Sequence, residues 1–188
     1  MPKIKSLLTI AILALSAMTG SLSAANPYIV ISVPDQRLAL VENGLTLAQF
    51  PVSTSKFGLG DRSRSYATPL GVMEVAAKIG DNAPLGTVFK GRRPTGEVLR
   101  PNAPGRDPIV TRILHLRGLE SCNQGAFDRG IYIHGTAEER TIGRPASYGC
   151  IRMRSKDVIR LFDSVAVGTK IAVMNAPMSR AFRQVAAN

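Results

Sequence analysis

A cysteine and a histidine in this chain have the types and the spacing of a thiol nucleophile and its base. Cys150 stands in the run Ser-Tyr-Gly-Cys-Ile-Arg, and His134 stands 16 positions upstream in Ile-Tyr-Ile-His-Gly-Thr. A thiol attacks a carbonyl as the thiolate, and a neighbouring imidazole can take the thiol proton and later return it to a leaving amine. The two residues therefore predict acyl transfer through a thioester.

The residues around Cys150 suit the same chemistry. The small Gly149 lets a carbonyl approach the sulfur, and the backbone N–H groups of Gly149 and Cys150 are candidates for an oxyanion hole. Arg152 supplies fixed positive charge, which favours the thiolate and a substrate carboxylate; a plain surface charge is the alternative. Ser147 lacks the preceding glycine of a hydrolase nucleophile elbow, so it is predicted to hydrogen-bond and to shape the turn.

The second cysteine, Cys122, leaves a structural alternative open. An exported protein with two cysteines most simply joins them, which would make Cys150 one half of a disulfide. The neighbouring Gly149 and the nearby His134 favour the nucleophile instead. Cys122 is then a passive thiol, a partner in an intermolecular disulfide, or a thiol that traps oxidised Cys150 before the damage is irreversible.

The remaining histidine and the metal-binding residue types point to no further chemistry. His115 alternates with Leu114 and Leu116 on a predicted strand, which favours a structural imidazole over a second base. The chain has two His and two Cys without the close pair spacing of a zinc site. We therefore expect neither a metal nor a cofactor.

The scaffold that must position these residues is predicted to be mainly β. Apolar and β-branched runs between turn formers predict strands at 28–33, 37–41, 45–53, 71–78, 109–116, 130–134 and 170–174. His134 would then end a strand and project into a cleft. An apolar stripe predicts a helix at 156–165 with Ser155 as its N-cap, and a terminal helix is predicted at 176–187.

Residues 80–108 are predicted to form one long loop. The segment is dense in Gly, Pro, Asn and Arg and shows no sustained hydrophobic period. Structureless segments of this length are uncommon inside compact domains, and functional lids are one usual reason for them. A lid over a cleft and a peripheral insertion are the two alternatives.

Residues 1–25 are predicted to be a secretory signal peptide. Lys3 and Lys5 precede an apolar run at 7–18, and the small residues at 23–25 place the cleavage before Asn26. The apolar run is short for a membrane span, which needs about 20 residues. We expect one exported domain at 26–188, in the periplasm or the cell wall, held by no stable membrane span.

The charge of the chain indicates an anionic partner. Lys and Arg number 24 against 13 Asp and Glu, a net charge of +11, and two of these charges belong to the predicted signal peptide. Nucleic acid is disfavoured because an exported chain without a basic helix or a basic face interleaved with aromatic residues has little opportunity to bind it. Wall polymers and phosphorylated lipids remain as anionic partners, and solubility alone explains part of the charge.

The motif around Cys150 resembles the signature of the YkuD-type L,D-transpeptidases, bacterial cell-wall enzymes with a catalytic cysteine, and in particular their ErfK/YbiS/YcfS/YnhG-like branch. The resemblance is carried by His134-Gly135-Thr136, Gly143 and residues 145–153, and by more general similarity at 28–55, 68–72 and 156–158. Many family members carry His where this chain has Tyr148. The resemblance implies a β-sandwich or barrel-like sheet pair with short helices and a long loop.

The resemblance also implies a reaction. Cys150 would attack the carbonyl of the L-centred diamino acid in a peptidoglycan tetrapeptide stem, expel D-Ala and pass the stem to an amine. His134 would transfer the protons, with the Gly135 carbonyl orienting its imidazole. The acceptor decides the product: a second stem gives a 3-3 cross-link, a lysine of a lipoprotein or outer-membrane protein gives anchoring, and water gives L,D-carboxypeptidase action.

Two other classes of function stay open at the level of sequence. A peptidoglycan thiol hydrolase would use the same Cys150 and His134 and would expose the thioester to water. A non-catalytic wall-binding domain closed by a Cys122–Cys150 disulfide would use neither residue for chemistry. The number of free thiols in the exported protein separates this last class from both enzymes.

Overall fold

A computed structural model gives the structure of residues 26–186. The predicted signal peptide, residues 1–25, lies outside the described residues. The strands within these residues are β1 (Tyr28–Ser32), β2 (Arg37–Glu42), β3 (Leu45–Pro51), β4 (Gly71–Ile79), β5 (Thr87–Lys90), β6 (Arg93–Val98), β7 (Ile109–Gly118), β8 (Tyr132–Thr136), β9 (Ile151–Met153) and β10 (Lys170–Met174). The two α-helices are α1 (Ser155–Ser164) and α2 (Met178–Ala186). No helix among these residues is long and apolar enough to cross a membrane.

The strands form one mixed sheet that closes on itself near the candidate nucleophile. Its order is β3-β2-β1-β10-β4-β7-β5-β6, and β8 and β9 continue from β7. The β1–β10 and β8–β9 pairs are parallel. Just after β3, the Ser53 N–H donates to the Arg152 carbonyl at 3.0 Å and the Arg152 N–H donates back at 2.9 Å. This bridge joins β9 to the segment that follows β3, so the sheet closes as in a barrel. The prediction of a mainly β fold is confirmed.

The core lies inside the curved sheet, and α1 covers it. Strand residues that point inward are fully buried, among them Ile31, Met73 and Ile133. The α1 residues Val158 and Leu161 are also fully buried and belong to the same core, as the apolar stripe predicted. Each fully buried aliphatic side chain stabilises the fold by about 1.5–3 kcal/mol. The core thus fixes β7, β8 and β9, the strands that carry the candidate site, as one rigid unit.

The long-loop prediction for residues 80–108 is wrong, because the segment contains the β5–β6 hairpin. Gly91 and Arg92 both have positive φ, at 58° and 66°, which is the two-residue turn that matches strand twist. Arg92 is not a residue type that predicts a positive φ, so this turn could not be recognised in the sequence. Strand β6 also contains Pro94 and Gly96 and is mostly exposed, so it lacks the alternating pattern of a strand.

The start of α1 also differs from the prediction. Ser155 is the first helical residue and not the N-cap, and Arg154 occupies the cap position without a side-chain hydrogen bond. The Ser155 hydroxyl accepts a hydrogen bond from the Thr111 hydroxyl at 2.8 Å. Its backbone N–H donates to the Glu139 carboxylate at 2.8 Å. A side chain from 16 positions earlier thus accepts from one of the N–H groups that have no partner within the first turn of the helix.

Candidate active site

The two candidate catalytic residues lie on neighbouring parallel strands. His134 in β8 is in register with Arg152 in β9, and Cys150 immediately precedes β9. Cys150 therefore lies two residues before the register partner of His134 on the neighbouring strand. His134 is the central residue of β8, so the prediction that it ends a strand is wrong. Strand β9 was not predicted, because three residues are too few to show a pattern.

His134 is buried and held in one orientation. The residue is 5% exposed, and its Nδ1 lies 2.7 Å from the Gly135 carbonyl oxygen. A carbonyl only accepts, so Nδ1 carries the proton and the lone pair of a neutral imidazole is on Nε2. Burial lowers the pKa of His134 to about 4, while the Gly135 carbonyl acts in the opposite direction. The imidazole is thus a neutral base at pH 7.

The position of Gly135 is fixed by close contact with β7. A Cβ atom at Gly135 would lie 2.6 Å from the Val110 carbonyl oxygen and 3.1 Å from the Thr111 Cβ. The first distance is too short for a real Cβ contact and involves backbone, and the second is tighter than ordinary van der Waals contact. A residue larger than glycine would therefore require the backbone to shift here.

Thr111 creates this contact through a strained bulge in β7. Its φ is +73°, a left-handed conformation that is unfavourable for a β-branched residue, and the β7–β8 register shifts between Val110 and Ile113. The Thr111 hydroxyl accepts from the Gly86 N–H at 3.0 Å and donates to the Ser155 hydroxyl at 2.8 Å. These bonds hold the strained residue in place. Sequence reasoning missed Thr111, since nothing in its neighbourhood signals a bulge.

The Cys150 thiol is protonated in the resting protein. Its sulfur lies 3.4 Å from the Gly130 carbonyl oxygen, to which the S–H donates. Burial raises the pKa of the Cys150 thiol to about 11, against a hydrogen bond from the Tyr132 backbone and the positive charges of Arg152 and Arg129. The thiol and the His134 imidazole are thus both neutral at pH 7. The positive charge of Arg152 acts in the predicted direction, but burial outweighs it.

The turn before Cys150 is shaped by a buried serine and a glycine. The Ser147 hydroxyl donates to the Cys150 carbonyl at 2.6 Å and accepts from the Gly149 N–H at 3.2 Å. Gly149 has a φ of +115°, and a Cβ there would lie 3.2 Å from the Ala67 carbonyl oxygen. Because the Gly149 N–H already has a partner, its oxyanion role stays a prediction that requires this bond to be exchanged.

Arg152 is buried in an ion pair. It is 8% exposed, and one guanidinium nitrogen lies 2.7 Å from an Asp107 carboxylate oxygen. The other Asp107 oxygen accepts from the Thr136 hydroxyl. A substrate carboxylate would have to share or displace Asp107, so the binding role of Arg152 stays a prediction. Asp107 belongs to the segment predicted as a loop, and no local sequence pattern pairs it with Arg152.

A cavity of about 630 Å³ opens beside Cys150. It is lined by Ser63, Arg64, Ser65, Tyr66, Asp128, Arg129, Gly130, Ile131, Tyr148 and Cys150. None of these lining residues comes from 80–108, so the lining of this cavity gives no support to the lid alternative for that segment. A second cavity, of about 740 Å³, is lined by residues at 26–28 and 166–170 and includes none of the candidate site residues.

Arg129 holds one wall of the cavity in place through an ion pair and hydrogen bonds. Its guanidinium lies 2.6 Å from the Asp61 carboxylate and donates to the carbonyls of Ser65 at 3.0 Å and Ala67 at 2.6 Å. The Arg129 and Asp61 side chains are both nearly buried. Because Gly130 follows directly and accepts from the Cys150 thiol, Arg129 connects the segment at 61–67 to Cys150. Sequence reasoning missed this pair, whose members are far apart in the chain.

Both cysteines are free thiols. Cys122 is exposed, and its sulfur lies 3.5 Å from a Glu120 carboxylate oxygen and 3.8 Å from the Leu70 carbonyl. Partial desolvation and the Glu120 carboxylate raise the pKa of Cys122. The disulfide that would define a wall-binding domain is therefore not formed in this structure. His115 stacks on Phe127 with ring centroids 4.0 Å apart, as a structural imidazole would.

No three His, Cys, Asp or Glu side chains within residues 26–186 are grouped so that they could hold a metal ion. The described residues provide a buried neutral imidazole at His134 and a thiol at the cavity at Cys150, the two groups that the predicted chemistry requires.

Comparison with known proteins identifies the family of the chain. The YkuD model, described as the L,D-transpeptidase catalytic domain, matches residues 26–173. YqjB of Bacillus subtilis, which carries the name of an L,D-transpeptidase, is 25% identical over 161 residues, which are 86% of this chain and 77% of YqjB. YcfS of Escherichia coli, named in the same way, is 44% identical over 50 residues, which are 26% of this chain but 16% of YcfS.

The fold is also found among solved structures. An L,D-transpeptidase from Mycobacterium smegmatis is 21% identical, with a TM-score of 0.50 over 80% of this chain and 59% of that chain. At this identity the likeness concerns the fold, and the chain spans well under two thirds of that protein. The family match covers nearly all of the described structure, including both candidate catalytic residues, and the chain therefore belongs to the YkuD family of L,D-transpeptidase catalytic domains.

Proposed function

We propose that the protein is a peptidoglycan L,D-transpeptidase in which Cys150 is the nucleophile and His134 the base. The observation that carries this proposal is the pairing of His134 Nδ1 with the Gly135 carbonyl at 2.7 Å, on the strand next to the one that follows Cys150. It fixes the tautomer that presents a basic Nε2. The donor is a tetrapeptide stem, attacked at the carbonyl of its L-centred diamino acid.

Because thiol and imidazole both rest in their neutral forms, attack and proton transfer occur together. As the Cys150 sulfur bonds to the carbonyl carbon, Nε2 of His134 takes the thiol proton and becomes imidazolium. The Gly135 carbonyl, which accepts from Nδ1–H, stabilises that cation. The imidazolium then protonates the nitrogen of D-Ala, the C–N bond breaks, and the stem remains as a thioester. In the second half, Nε2 takes a proton from the acceptor amine, which attacks the thioester and restores the thiol.

An exposed arginine in the lining of the cavity suits an anionic stem. Arg64 lines the cavity and is exposed, whereas Arg152 is already paired with Asp107. A guanidinium in contact with water can bind a stem carboxylate without first breaking an internal ion pair. We therefore assign first contact with the stem carboxylates to Arg64 and keep Arg152 as a second candidate.

The acceptor defines three products of one thioester. A stem amine gives a 3-3 cross-link, a lysine of a wall-anchored lipoprotein or an outer-membrane protein gives anchoring, and water gives the tripeptide of an L,D-carboxypeptidase. A thiol hydrolase acting on existing cross-links would use the same two residues. We propose the cross-link as the main product, on the strength of the family match at 26–173.

Mass spectrometry of tetrapeptide muropeptides incubated with the exported protein tests the proposal. We expect loss of D-Ala and growth of a 3-3 dimer, with an acyl adduct on the wild-type protein and none on Cys150→Ala. Cys122→Ser is the matched control, because it removes the other thiol of the chain and should keep the adduct. Turnover by Cys150→Ala would refute the nucleophile assignment, and tripeptide without dimer would identify a carboxypeptidase.

We further propose that residues 1–25 are removed on export and that the enzyme acts in the periplasm or the cell wall. Sequencing the N-terminus of the protein from the cell envelope should give Asn26 as the first residue. An intact Met1 terminus on envelope protein would contradict this proposal.

A further inference from the structure

Three exposed aromatic rings stand together at the rim of the Cys150 cavity. Phe57, Tyr66 and Tyr148, which we name the aromatic platform, are 52%, 58% and 54% exposed. Their ring centroids lie 5.3 to 5.5 Å apart in all three pairs. Tyr66 and Tyr148 also line the cavity that contains Cys150. The platform thus continues the wall of the cavity outward to the surface.

The aromatic platform is exceptional within this chain. The sequence holds 6 Phe and 4 Tyr and no Trp, and the seven other rings are all at least partly buried. Large apolar faces that remain in contact with water are unfavourable, and grouped at a cleft they mark a place where a ligand covers them. The three rings pack against one another but not into the core, so core packing does not account for them.

The platform is preorganised and has polar groups at its edge. Lys56 Nζ donates to the Tyr148 hydroxyl at 3.1 Å and lies 4.5 Å from the centre of that ring. The Phe57 N–H donates to the Ser55 hydroxyl at 2.9 Å, and that hydroxyl donates to the Tyr66 carbonyl. A surface with flat apolar faces, two phenol hydroxyls and an ammonium group suits a ligand that is itself apolar on its faces and polar around its edge.

We propose that the aromatic platform binds a pyranose ring of the peptidoglycan glycan strand, so that the enzyme recognises the sugar together with the stem. This inference rests on the proposed function. A pyranose presents C–H groups on its faces and hydroxyl and acetamido groups around its edge, which matches the platform. The stem offers small and charged side chains, which cover little aromatic surface.

The position of the platform agrees with the connectivity of the substrate. The glycan is attached to the first residue of the stem, and the attacked carbonyl belongs to the third. Three extended residues span at most about 10 to 11 Å. A sugar at the rim and a carbonyl at Cys150 are therefore compatible, since Tyr66 and Tyr148 border the same cavity as the thiol.

A comparison of two donors tests this inference. The kcat/KM for disaccharide-tetrapeptide and for the free tetrapeptide is measured with wild type, Phe57→Leu and Phe57→Tyr. We expect wild type to prefer the glycosylated donor and Phe57→Leu to lower that preference by about three- to tenfold, the effect of losing one aromatic contact. Phe57→Tyr, which keeps the ring, should retain the preference.

Leu47→Ala is the matched control, because Leu47 is 54% exposed on β3 and lies outside the platform and the cavity lining. It should leave the donor preference of wild type unchanged. Equal kcat/KM for both donors in wild type, or an equal loss for both donors in Phe57→Leu, would overturn the sugar assignment. The second result would mean that the platform contacts the stem, or that the substitution only changes the shape of the rim.

A binding measurement separates this inference from the proposed function. Nuclear magnetic resonance titration of Cys150→Ala with the peptide-free disaccharide should shift tyrosine ring signals, and Tyr148→Ala should weaken the binding. Disaccharide binding without turnover of either donor would contradict the proposed function and keep the sugar site. Turnover without disaccharide binding, and without donor preference, would keep the function and remove the sugar site.

Discussion

The buried residues around Cys150 and the rim of its cavity are built in opposite ways. His134 is buried and bonded to the Gly135 carbonyl, and Arg152 is buried and paired with Asp107. At the rim, each of the three residues of the aromatic platform is more than half exposed. Proton transfer requires groups in fixed positions away from solvent, whereas recognition of a polymer requires surface that is accessible before binding. The contrast predicts that changes among the buried residues affect kcat and that changes in the rim affect donor choice.

The largest effect is expected from His134→Gln. Removing a positioned base should lower kcat by about 10² to 10⁴-fold while the thiol stays alkylatable. Steady-state kinetics and iodoacetamide labelling measure the two properties. His115→Gln is the matched control, because it alters the chain's other histidine, which stacks on Phe127; it should lower stability and leave kcat largely intact. A normal rate in His134→Gln would refute the assignment of the base.

Gly135→Ala should have the next largest effect. The added Cβ would lie 2.6 Å from the Val110 carbonyl, so the backbone must shift and carry the Gly135 carbonyl away from His134. We expect a loss of about 1 to 3 kcal/mol in the free energy of unfolding and a fall in kcat of about 10- to 100-fold.

Gly168→Ala serves as the control for this change. Its φ is +90° and nothing lies within 4 Å of an added Cβ, so it adds backbone strain without a clash. It should lower stability with kcat unchanged. If Gly135→Ala likewise lowered only stability, the carbonyl would not orient the imidazole.

The pH dependence follows from the buried neutral imidazole. The base works in its neutral form, so kcat/KM should fall only as the pH drops through about 4, the pKa of His134, and not near 6.5. The free energy of unfolding should decrease between pH 6.5 and 4, because the unfolded chain binds a proton that the folded chain excludes. The full effect is about 3 kcal/mol. His134→Gln should abolish this part of the stability profile, and an acid limb of kcat/KM at 6.5 would contradict the buried base.

A smaller effect is expected from Arg152→Lys. Lysine keeps the charge toward Asp107 but loses the planar fork, so we predict a rise in KM of several-fold for the donor with the thiol still alkylatable. Arg152→Ala should be worse, because it also leaves the largely buried Asp107 carboxylate without its cationic partner. An unchanged KM in both variants, with a lowered melting temperature, would assign Arg152 to the structure alone.

Cys122→Ser should have the smallest effect, with turnover unchanged. The Cys122 sulfur contacts Glu120 and the Leu70 carbonyl, and the Cys150 sulfur contacts the Gly130 carbonyl, so the two thiols have different surroundings. Recovery of activity after peroxide treatment, measured with and without reductant, decides the role of Cys122. Poorer recovery in Cys122→Ser would support a trap for oxidised Cys150, and equal recovery would make Cys122 a passive thiol.

The sequence was sufficient for features that depend on local order. Each of the seven predicted strands is present, since apolar and β-branched runs between turn formers are visible in the chain, and the motif around Cys150 indicated the family. What was missed depends on residues that meet only in the fold. Thr111 acts through a bulge, Asp107 through an ion pair with Arg152, and Arg129 through the segment at 61–67. The aromatic platform brings together residues up to 91 positions apart, and no window of sequence shows them side by side.

The pairing of β1 with β10 has a consequence for how the chain comes together. Ile29 is in register with Ile171, so the middle of the sheet is completed by residues made 142 positions later. Until β10 arrives, β1 presents an unpaired edge and β4 lacks one neighbour, and such distant pairings form slowly. A chain that ends before residue 170 would lack a central strand. The central pairing of the sheet therefore forms only after residues 170–174 have been synthesised, when β1 to β9 are already part of the chain.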